Sequence, residues 1–329
     1  MTRPEESDPI VVEVVRSGFV ESVHRGRVAI TGPDGDLLAS VGAEFAPMYP
    51  RSSSKPLQAV GMLRAGLDLD ASPEKAALLA LVCASHSGEP IHVDGVRAIL
   101  AGVGLDESAL QTPPDWPLDD VAREAVIRSG GAKAPISMNC SGKHAGMLAT
   151  TVAMGGDVAT YRDPDSKTQL AILRTIDDLA HEQAGQLAVD GCGAPLFAIS
   201  LYGLARAFGS LAAAADGEER QVADAIRAHP EYTSGTTRDE LALHRAIPGL
   251  VGKAGAEAVY AVGLPDGRGV ALKITDGNPR ARAVLMAAVL QRLGYDHRTL
   301  DEQVSAPVLG HGERVGEIRP VAEALTALG

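Results

Sequence analysis

A β-hairpin late in the chain, residues 258–275 with the sequence AVYAVGLPDGRGVALKIT, decides the fold. Its two halves, Ala258–Leu264 and Gly269–Thr275, are short and rich in Val, and Pro265-Asp266-Gly267-Arg268 separates them. A Pro-Asp-Gly run between two such apolar segments is typical of a tight turn between antiparallel strands. We therefore predict two paired strands here and assign the remaining elements around them.

The first 40 residues show the same strand pattern. Short segments rich in Val and Ile, separated by glycine or by a Pro-Asp-Gly turn, predict strands at Ile10–Val15, Phe19–His24, Val28–Thr31 and Leu37–Val41. This arrangement is typical of an antiparallel meander and differs from the strand–helix alternation of a parallel sheet. The tail from Gly310 onward is predicted to add a short edge strand before a final helical turn.

The middle of the chain, roughly residues 52 to 250, is predicted to be mainly helical. Apolar residues recur there at spacings of three and four, as in Ile172, Ile176 and Leu179. The predicted helices, including one that follows the hairpin, are Ser53–Ala65, Pro73–Cys83, Gly95–Ala101, Leu118–Arg128, His144–Met154, Lys167–Ala180, Leu196–Phe208 and about Pro279–Leu293. Helices thus separate two blocks of strands.

This order of elements predicts an α/β (α+β) fold. The N- and C-terminal strands join in one antiparallel sheet, and the helical middle is inserted between them as a large lobe. The whole chain, 1–329, is then a single domain with two lobes. The sheet lobe covers about 1–50 and 255–329, and the helical lobe covers about 51–254.

The composition argues against several classes of partner and location. The formal net charge is −12 and the 30 basic residues are scattered, which argues against nucleic acid or an anionic membrane surface as the main partner. Residues 1–9 carry no apolar run of a secretory signal, and no later apolar segment reaches the roughly 18 residues of a membrane span. A cytoplasmic protein is therefore expected. The cysteines, Cys83, Cys140 and Cys192, are odd in number and widely spaced, so a disulfide framework is not expected.

The segment 49–58, YPRSSSKPLQ, carries Ser52 and Lys55 in the Ser-x-x-Lys spacing of penicillin-binding serine acyltransferases. Residues three apart lie on one face of a helix, so a hydroxyl and an amine can act together there. Pro56 is tolerated only in the first helical turn, which places the helix start near Ser52 or Ser53 and the hydroxyl at its positive end. Taken alone, the pattern is more often explained by serines that cap a helix.

Two further elements, in the expected order along the chain, favour a serine hydrolase. The segment CASHSGE ends a predicted helix in a small polar turn and offers a second hydroxyl, Ser85 or Ser87. The segment LKITDG, which contains Lys273, ends the hairpin strand and is similar to the Lys-Thr-Gly strand of penicillin-binding enzymes. A serine hydroxyl needs a neighbouring base. Lys55 fills that role when it is uncharged, a form that burial and a second cation such as Lys273 favour.

Four blocks of sequence carry a resemblance to a known family: Arg51–Pro56, Cys83–Glu89, Asn139–His144 and Asp190–Pro195. They resemble the rhizobial-type L-asparaginases, also called the thermolabile or asparaginase II family, and the likeness runs from about Val11 to the final helix. It implies a fold like those of serine β-lactamases, penicillin-binding proteins and glutaminases. It also implies that the substrate is L-asparagine, hydrolysed to L-aspartate and ammonia.

The resemblance further implies the roles of particular residues. Ser52 would be the nucleophile and Lys55 its general base, with Ser85 and Lys273 completing the proton network. Backbone N–H groups at Ser52 and near Thr275 are candidates for holding the oxyanion.

Three further charged or titratable side chains are candidates for binding the charged α-groups of the substrate. They are Arg51, His86 and Glu89, with Thr275 as a further substrate-binding candidate. Each can equally be an ordinary surface residue.

The resemblance also implies a zinc site beside the catalytic serine, formed by Cys140, Lys143 and Cys192. Two thiolates suit zinc, and a neutral lysine is a rare nitrogen donor. Asp190 and His144 lie close enough in sequence to orient these ligands. The alternative, in which both cysteines are small buried apolar groups, stays open.

Three alternatives remain from the sequence. The nearest is a related serine enzyme, either a glutaminase or a β-lactamase-like acyltransferase. From another class, a non-catalytic, metal-containing protein that binds a small molecule is the rival.

The hydroxyl-rich Thr233–Thr237 follows His229-Pro230 and is interpreted as a turn rather than as a catalytic threonine. A homodimer is expected because many enzymes of small substrates are two-fold symmetric.

Overall fold

The computed structural model describes residues 8–70 and 72–328, and the chain divides into two compact units. The first unit consists of the chain up to Ser53, Ile199–Ala213 and the chain from Ala242 onward. The second unit consists of Ser54–Ala198 and Ala214–Leu241. Residues 1–7, where no secretory signal is expected, lie outside the described part. Within that part, no helix combines the length and the apolar character needed to cross a membrane. The assignment of the whole chain to a single domain stays a prediction.

An antiparallel sheet forms the centre of the first unit. In chain order, the strands of the protein are β1 (Ile10–Arg16), β2 (Phe19–Thr31), β3 (Leu37–Val41), β4 (Pro47–Met48), β5 (Leu187–Val189), β6 (Pro195–Phe197), β7 (Ile199–Ser200), β8 (Val251–Gly255), β9 (Val259–Gly263), β10 (Gly269–Ile274), β11 (Ala306–Gly310) and β12 (Glu313–Pro320). The order in the sheet is β11-β12-β1-β2-β10-β9-β8, and β3 pairs with β2. The N- and C-terminal strands therefore join in one antiparallel sheet, which confirms the predicted fold class.

One difference from the predicted strands lies at Gly26. Phe19–His24 and Val28–Thr31, predicted as separate strands, belong to the single strand β2. Gly26 pairs with Ile274 of β10, and a Cβ at this glycine would lie only 2.8 Å from the carbonyl oxygen of Lys273. The glycine permits two strands to approach closely and does not end a strand. The four other strands with predicted bounds lie within one residue of them. The strand predicted at an edge of the sheet in the tail is β12, which instead lies between β11 and β1.

Helices make up most of the second unit. In chain order, the helices of the protein are α1 (Lys55–Arg64), α2 (Pro73–Val82), α3 (Pro90–Gly102), α4 (Asp120–Arg128), α5 (Ser141–Ala153), α6 (Lys167–Ala180), α7 (Leu201–Ala213), α8 (Gly217–Ala228), α9 (Pro230–Thr233), α10 (Asp239–Ala246), α11 (Arg282–Arg292) and α12 (Arg298–Gln303). Helix α6 has its predicted bounds. Helix α3 begins earlier than its predicted start at Gly95, because Glu89 and His92 cap its first turn reciprocally and Pro90 suits a first helical position.

Helix α7 belongs to the first unit although its sequence was assigned to the helical middle. It lies against the sheet at Gly263 and Gly269, where added Cβ atoms would each stand 1.9 Å from a carbonyl oxygen of the helix. Only glycine leaves room for a helix so close to the strands. The opposite sheet face packs against α11, with Val270, Leu272 and Ile274 in the buried core. Because side chains alternate along a strand, the face that meets α7 carries the intervening residues of β10, including Lys273.

Candidate functional site

Ser52 lies in a short helical segment that leads into α1. Residues Arg51–Ser54 form a 3₁₀ turn, and the α-helix begins at Lys55 with Pro56 in its first turn. The Ser53 hydroxyl donates to Pro50 O at 2.6 Å, and the Ser54 hydroxyl accepts from the Gln58 amide at 2.9 Å. Both of these serines are buried, whereas Ser52 is only partly buried. Of the three consecutive serines, Ser52 is therefore the one that a substrate can reach.

Strand β8 supports the backbone of this segment. An ideal Cβ at Gly255 would lie 2.7 Å from Pro50 O and 3.0 Å from Ser53 N, so only glycine permits the contact. Arg51, directly before Ser52, has a left-handed backbone with φ 53°. A non-glycine residue in this region costs roughly 1–3 kcal/mol and persists only where its surroundings enforce it. The contact with β8 is one such constraint.

Lys55 is held in a buried polar cluster of the second unit. Its side chain is 1% exposed, and its Nζ donates to Ala84 O at 2.5 Å, to Ser85 Oγ at 3.0 Å and to Cys140 Sγ at 3.0 Å. An ammonium group has three hydrogens to donate, and these partners use all of them. The structure therefore brings together Lys55 and Ser85, which the resemblance assigns to one proton network.

His86 lies in the interior of the second unit. The ring is fully buried, with Nε2 hydrogen-bonded to Ser141 Oγ at 2.8 Å and Nδ1 accepting the Gly88 N–H at 3.1 Å. Burial, and then the charges of His92 and Lys55, hold the pKa of His86 well below its ordinary value. Both ring nitrogens are therefore used inside the fold, and binding of the charged α-groups by His86 stays a prediction.

Glu89 also has a structural task. Its carboxylate accepts the Thr236 N–H and the Thr236 hydroxyl, both at 2.9 Å, and it caps α3. In the same part of the chain, Ser234 O accepts a hydrogen bond from the Ser87 hydroxyl, and Thr233 O accepts one from the Ser85 N–H. The segment Thr233–Thr237 therefore anchors the turn that carries Ser85. The substrate-binding role of Glu89 stays a prediction.

Thr275 is likewise engaged within the first unit. Its hydroxyl donates to Asp8 Oδ2 at 2.9 Å, and its backbone N–H donates to Arg25 O at 2.8 Å. An N–H that already has an intramolecular acceptor does not hold an oxyanion. The backbone N–H of Thr275 itself is therefore used inside the fold, and the substrate-binding role of Thr275 stays a prediction.

Lys273 lies on the same sheet face as the Ser52 segment, two strands away. Gly255 pairs with Val259, which pairs with Lys273, so the three residues are in register across β8, β9 and β10. Neighbouring strands lie about 4.8 Å apart, which separates Gly255 from Lys273 by about 10 Å. Lys273 Nζ donates to Glu257 O at 2.7 Å and to Ile274 O at 2.6 Å. Burial lowers the pKa of Lys273, against the opposing charge of Glu257. Its catalytic role stays a prediction.

Sequence reasoning missed a second lysine, Lys253, which is better placed. It lies on β8 itself, two residues before Gly255, and thus on the sheet face that supports Ser52. Its side chain is fully buried and Nζ donates to Ala254 O at 2.8 Å. The signal was present as Lys253-Ala254-Gly255, whose Lys-x-Gly spacing matches the Lys-Thr-Gly strand more closely than the segment around Lys273 does.

The three predicted zinc ligands are buried together in the second unit. Lys143 Nζ donates to Cys192 Sγ at 3.1 Å. A hydrogen bond with Cys192, outweighing burial, is the main reason that the pKa of Cys140 lies well below its ordinary value. The thiol of Cys192 contacts Asp190 Oδ2 at 3.7 Å. The structure thus brings together four side chains that the resemblance assigns to the zinc site and its surroundings: Cys140, Lys143, Cys192 and Asp190.

His144 adds a nitrogen to this cluster. Its Nδ1 bonds the Tyr161 hydroxyl at 2.7 Å, while its buried Nε2 has no hydrogen-bond partner among the residues that the structure describes. Burial lowers the pKa of His144 to about 4, so the ring is neutral.

The donor set fits zinc in type. Cys140 and Cys192 offer two sulfurs and Lys143 an amine, whose pKa is raised because the cysteine charges outweigh burial. Zinc binding would displace that proton, as metals do at protonated ligands. Within residues 8–70 and 72–328, no three His, Cys, Asp or Glu side chains are grouped to hold a metal ion. The candidate site therefore depends on the lysine as a ligand, and zinc stays a proposal.

Comparisons with solved structures find proteins of low similarity. The chain is similar to a β-lactamase from Mycobacterium bovis, at 15% identity and a TM-score of 0.44 over 81% of this chain and 94% of that one. It is similar to a probable glutaminase, at 17% identity and a TM-score of 0.44 over 82% and 86%. A third is Mglu in its native form, at 15% identity and a TM-score of 0.44 over 83% of this chain. This chain spans 64% of the length of Mglu. At this low identity and TM-score, the activities in these names belong to those proteins and are not assigned to this chain.

The comparison with protein families is decisive. No curated protein matches the chain. The profile described as L-asparaginase II matches residues 12–320, nearly the whole chain, and this match supports an amidohydrolase. The chain belongs to the L-asparaginase II family.

Proposed function

We propose that the protein hydrolyses the side-chain amide of L-asparagine, producing L-aspartate and ammonia through an acyl-enzyme on Ser52. The observation that carries this proposal is the buried Lys55 amine, one helical turn after Ser52 and 3.0 Å from the Ser85 hydroxyl. Family membership supports the reaction class. The partial exposure of Ser52, beside two serines that are buried, supports its role as the nucleophile.

The reaction has two acyl-transfer steps. In the first, Ser52 Oγ attacks the amide carbonyl carbon while its proton passes to Lys55, and the amide nitrogen leaves as ammonia with a proton delivered through Ser85. In the second, water attacks the acyl-enzyme and releases L-aspartate and the serine hydroxyl. Lys55 must give up one of its three hydrogen-bonded protons before it accepts another.

Two features that carry positive charge support the attack: the start of the helical segment and a lysine on β8. The start of the helical segment that leads into α1 places backbone N–H groups and the positive helix end near Ser52, where negative charge develops on the oxyanion. Lys253 is the second lysine in our proposal, because it lies on the strand that supports Ser52.

Zinc is part of the proposal as a bound cofactor. Cys140, Cys192 and Lys143 would hold the ion, which supplies positive charge that keeps both sulfurs as thiolates. The effect of the ion would reach Lys55 through Cys140. Cys140 Sγ accepts a hydrogen bond from Lys55 Nζ at 3.0 Å, so ordering Cys140 also orders the proposed base.

The test is ammonia release from L-asparagine by the wild-type protein and by Ser52→Ala. We expect the substitution to abolish turnover. Ser210→Ala, at an exposed serine of α7, is the matched control and should leave the rate unchanged. Added hydroxylamine should trap the acyl-enzyme as β-aspartyl hydroxamate with the wild-type protein only. An unchanged ammonia rate in Ser52→Ala would overturn the mechanism.

Substrate comparison separates the remaining alternatives. A glutaminase would release ammonia faster from L-glutamine, and a β-lactamase-like acyltransferase would open a chromogenic lactam. A non-catalytic binder would bind L-asparagine without releasing ammonia. The homodimer and the cytoplasmic location stay predictions.

A further inference from the structure

The loop between β8 and β9 presents an acidic side chain next to the Ser52 segment. Glu257 and Ala258 in this loop both have left-handed backbones, with φ 56° and 52°. The Glu257 side chain is 60% exposed, and its Oε1 lies 3.8 Å from Nη1 of Arg51. Arg51, which directly precedes Ser52, is left-handed as well. Three strained residues therefore lie at one pair of opposite charges, in which Glu257 is exposed and Arg51 is partly buried.

Two contacts hold Glu257 in this position. Lys273 Nζ donates to its carbonyl oxygen at 2.7 Å. Its carboxylate also lies close to Gly277, where an added Cβ would come within 2.3 Å of Oε2. The hydrogen bond from Lys273 thus fixes the backbone of Glu257, and the carboxylate lies near both Gly277 and Arg51.

Stability does not explain this arrangement. An ion pair at such a separation, with side chains 23% and 60% exposed, contributes little to the free energy of unfolding, since water screens the charges. Left-handed non-glycine residues, by contrast, lower stability and concentrate at functional sites. A pair of opposite charges that is held in place but only loosely joined is suited to open and accept a ligand that carries both charges.

The size of the proposed substrate limits where such groups can stand. In L-asparagine the α-nitrogen and the α-carboxyl carbon are each three bonds from the side-chain carbonyl carbon, a distance below about 4 Å. The nucleophile approaches that carbon to about 3–3.5 Å. Groups that bind the α-ammonium and α-carboxylate must therefore stand beside Ser52, as Arg51 and its partner Glu257 do.

We propose that Arg51 and Glu257 together recognise the zwitterionic end of the substrate. Glu257 binds the α-ammonium, and Arg51 binds the α-carboxylate. On binding, the loose pair opens and each charge receives an opposite charge from the ligand, so no charge is left unpaired. Glu257 thereby selects amides that carry a free α-amino group. This inference rests on the proposed function and names a specificity-determining residue for it.

The experiment compares three amides that differ in their α-groups. L-asparagine carries both groups, succinamate lacks the α-amino group and 3-aminopropanamide lacks the α-carboxylate. We expect Glu257→Gln to raise the KM for L-asparagine and 3-aminopropanamide by about 10- to 100-fold, the value of one charge-assisted hydrogen bond. The KM for succinamate should change by less than about twofold, a difference within the reach of small packing effects.

Matched variants give the complementary pattern. Arg51→Gln should raise the KM for L-asparagine and succinamate and leave that for 3-aminopropanamide nearly unchanged. Glu257→Asp, which keeps the charge, should restore part of the affinity for L-asparagine. Glu302→Gln, at an exposed glutamate of α12 that pairs with Arg298 at 2.7 Å, is the control and should alter none of the constants.

The result that overturns the inference is a Glu257→Gln variant whose KM changes equally for L-asparagine and succinamate, or for neither. Calorimetric binding of L-aspartate and of succinate provides a readout that needs no turnover. A wild-type protein that releases no ammonia from L-asparagine refutes the proposed function alone. In that case, loss of L-aspartate binding in Glu257→Gln with unchanged succinate binding would still support the recognition, and equal changes would refute it.

Discussion

Replacing Gly255 by alanine tests whether β8 positions Ser52. The added Cβ would lie 2.7 Å from Pro50 O and 3.0 Å from Ser53 N, both backbone atoms that cannot rotate away. Ordinary contact begins at 3.4 Å, so the strand or the serine segment must move by about 0.7 Å. A displacement approaching 1 Å reduces turnover by about 100-fold. We expect kcat for L-asparagine to fall about 10- to 100-fold, and the free energy of unfolding to fall by about 1–3 kcal/mol, as for overpacked sites.

The assay is steady-state ammonia release together with thermal unfolding of the purified variant. Gly102→Ala is the matched control, because a Cβ at this position near the end of α3 meets nothing within 4 Å. This control should leave kcat unchanged and raise stability by at most about 1 kcal/mol, the helix preference of alanine over glycine. A Gly255→Ala protein with wild-type kcat and wild-type Tm would refute the reasoning, since it would show that the serine segment does not depend on its contact with β8.

Three further predictions concern the buried cluster of the second unit. Ser85→Ala removes a hydrogen-bond partner of Lys55 and the proposed proton path, so kcat should fall by about 10²- to 10⁴-fold at unchanged Tm within a few degrees. Because the folded-state pKa of His144 is about 4 and its unfolded value 6.5, stability is lost as pH falls through this window. From pH 7 to pH 5 this contribution is about 2 kcal/mol, and urea unfolding of His144→Gln should show a correspondingly shallower pH dependence. Purified protein should contain about one zinc ion per chain, and Cys192→Ser should contain none; equal zinc in both would contradict the proposed ligands.

Local sequence predicted the secondary elements well where their signal is periodic or sits in a turn. The hairpin around Pro265-Asp266-Gly267-Arg268 and helix α6 follow from patterns within a few consecutive residues. Predictions were wrong where a long-range contact set the role of a residue. Gly26 lies inside a strand because β10 passes close to it, and α7 belongs to the sheet because Gly263 and Gly269 leave it room.

The site shows the same division. The spacing of Ser52 and Lys55, together with four motif blocks, was enough to identify the family and to name Ser85. It did not separate Lys253 from Lys273, since the strand that touches the serine segment is known only from the pairing of β8, β9 and β10. Nor did it show that the polar groups of His86 and Glu89 are used inside the fold, or that Glu257 stands beside Arg51.

By itself, the sequence determined the antiparallel α/β class, the serine–lysine turn and the residues of the sulfur-rich cluster, because each depends on spacing within one segment or on motif blocks. Tertiary structure alone decided that Ser52 stays partly exposed, that Lys253 lies on the strand beside its segment and that Glu257 lies near Arg51. Those outcomes depend on strand register and close backbone approach between residues far apart in the chain, where a glycine or a single hydrogen bond changes the role of a neighbouring side chain.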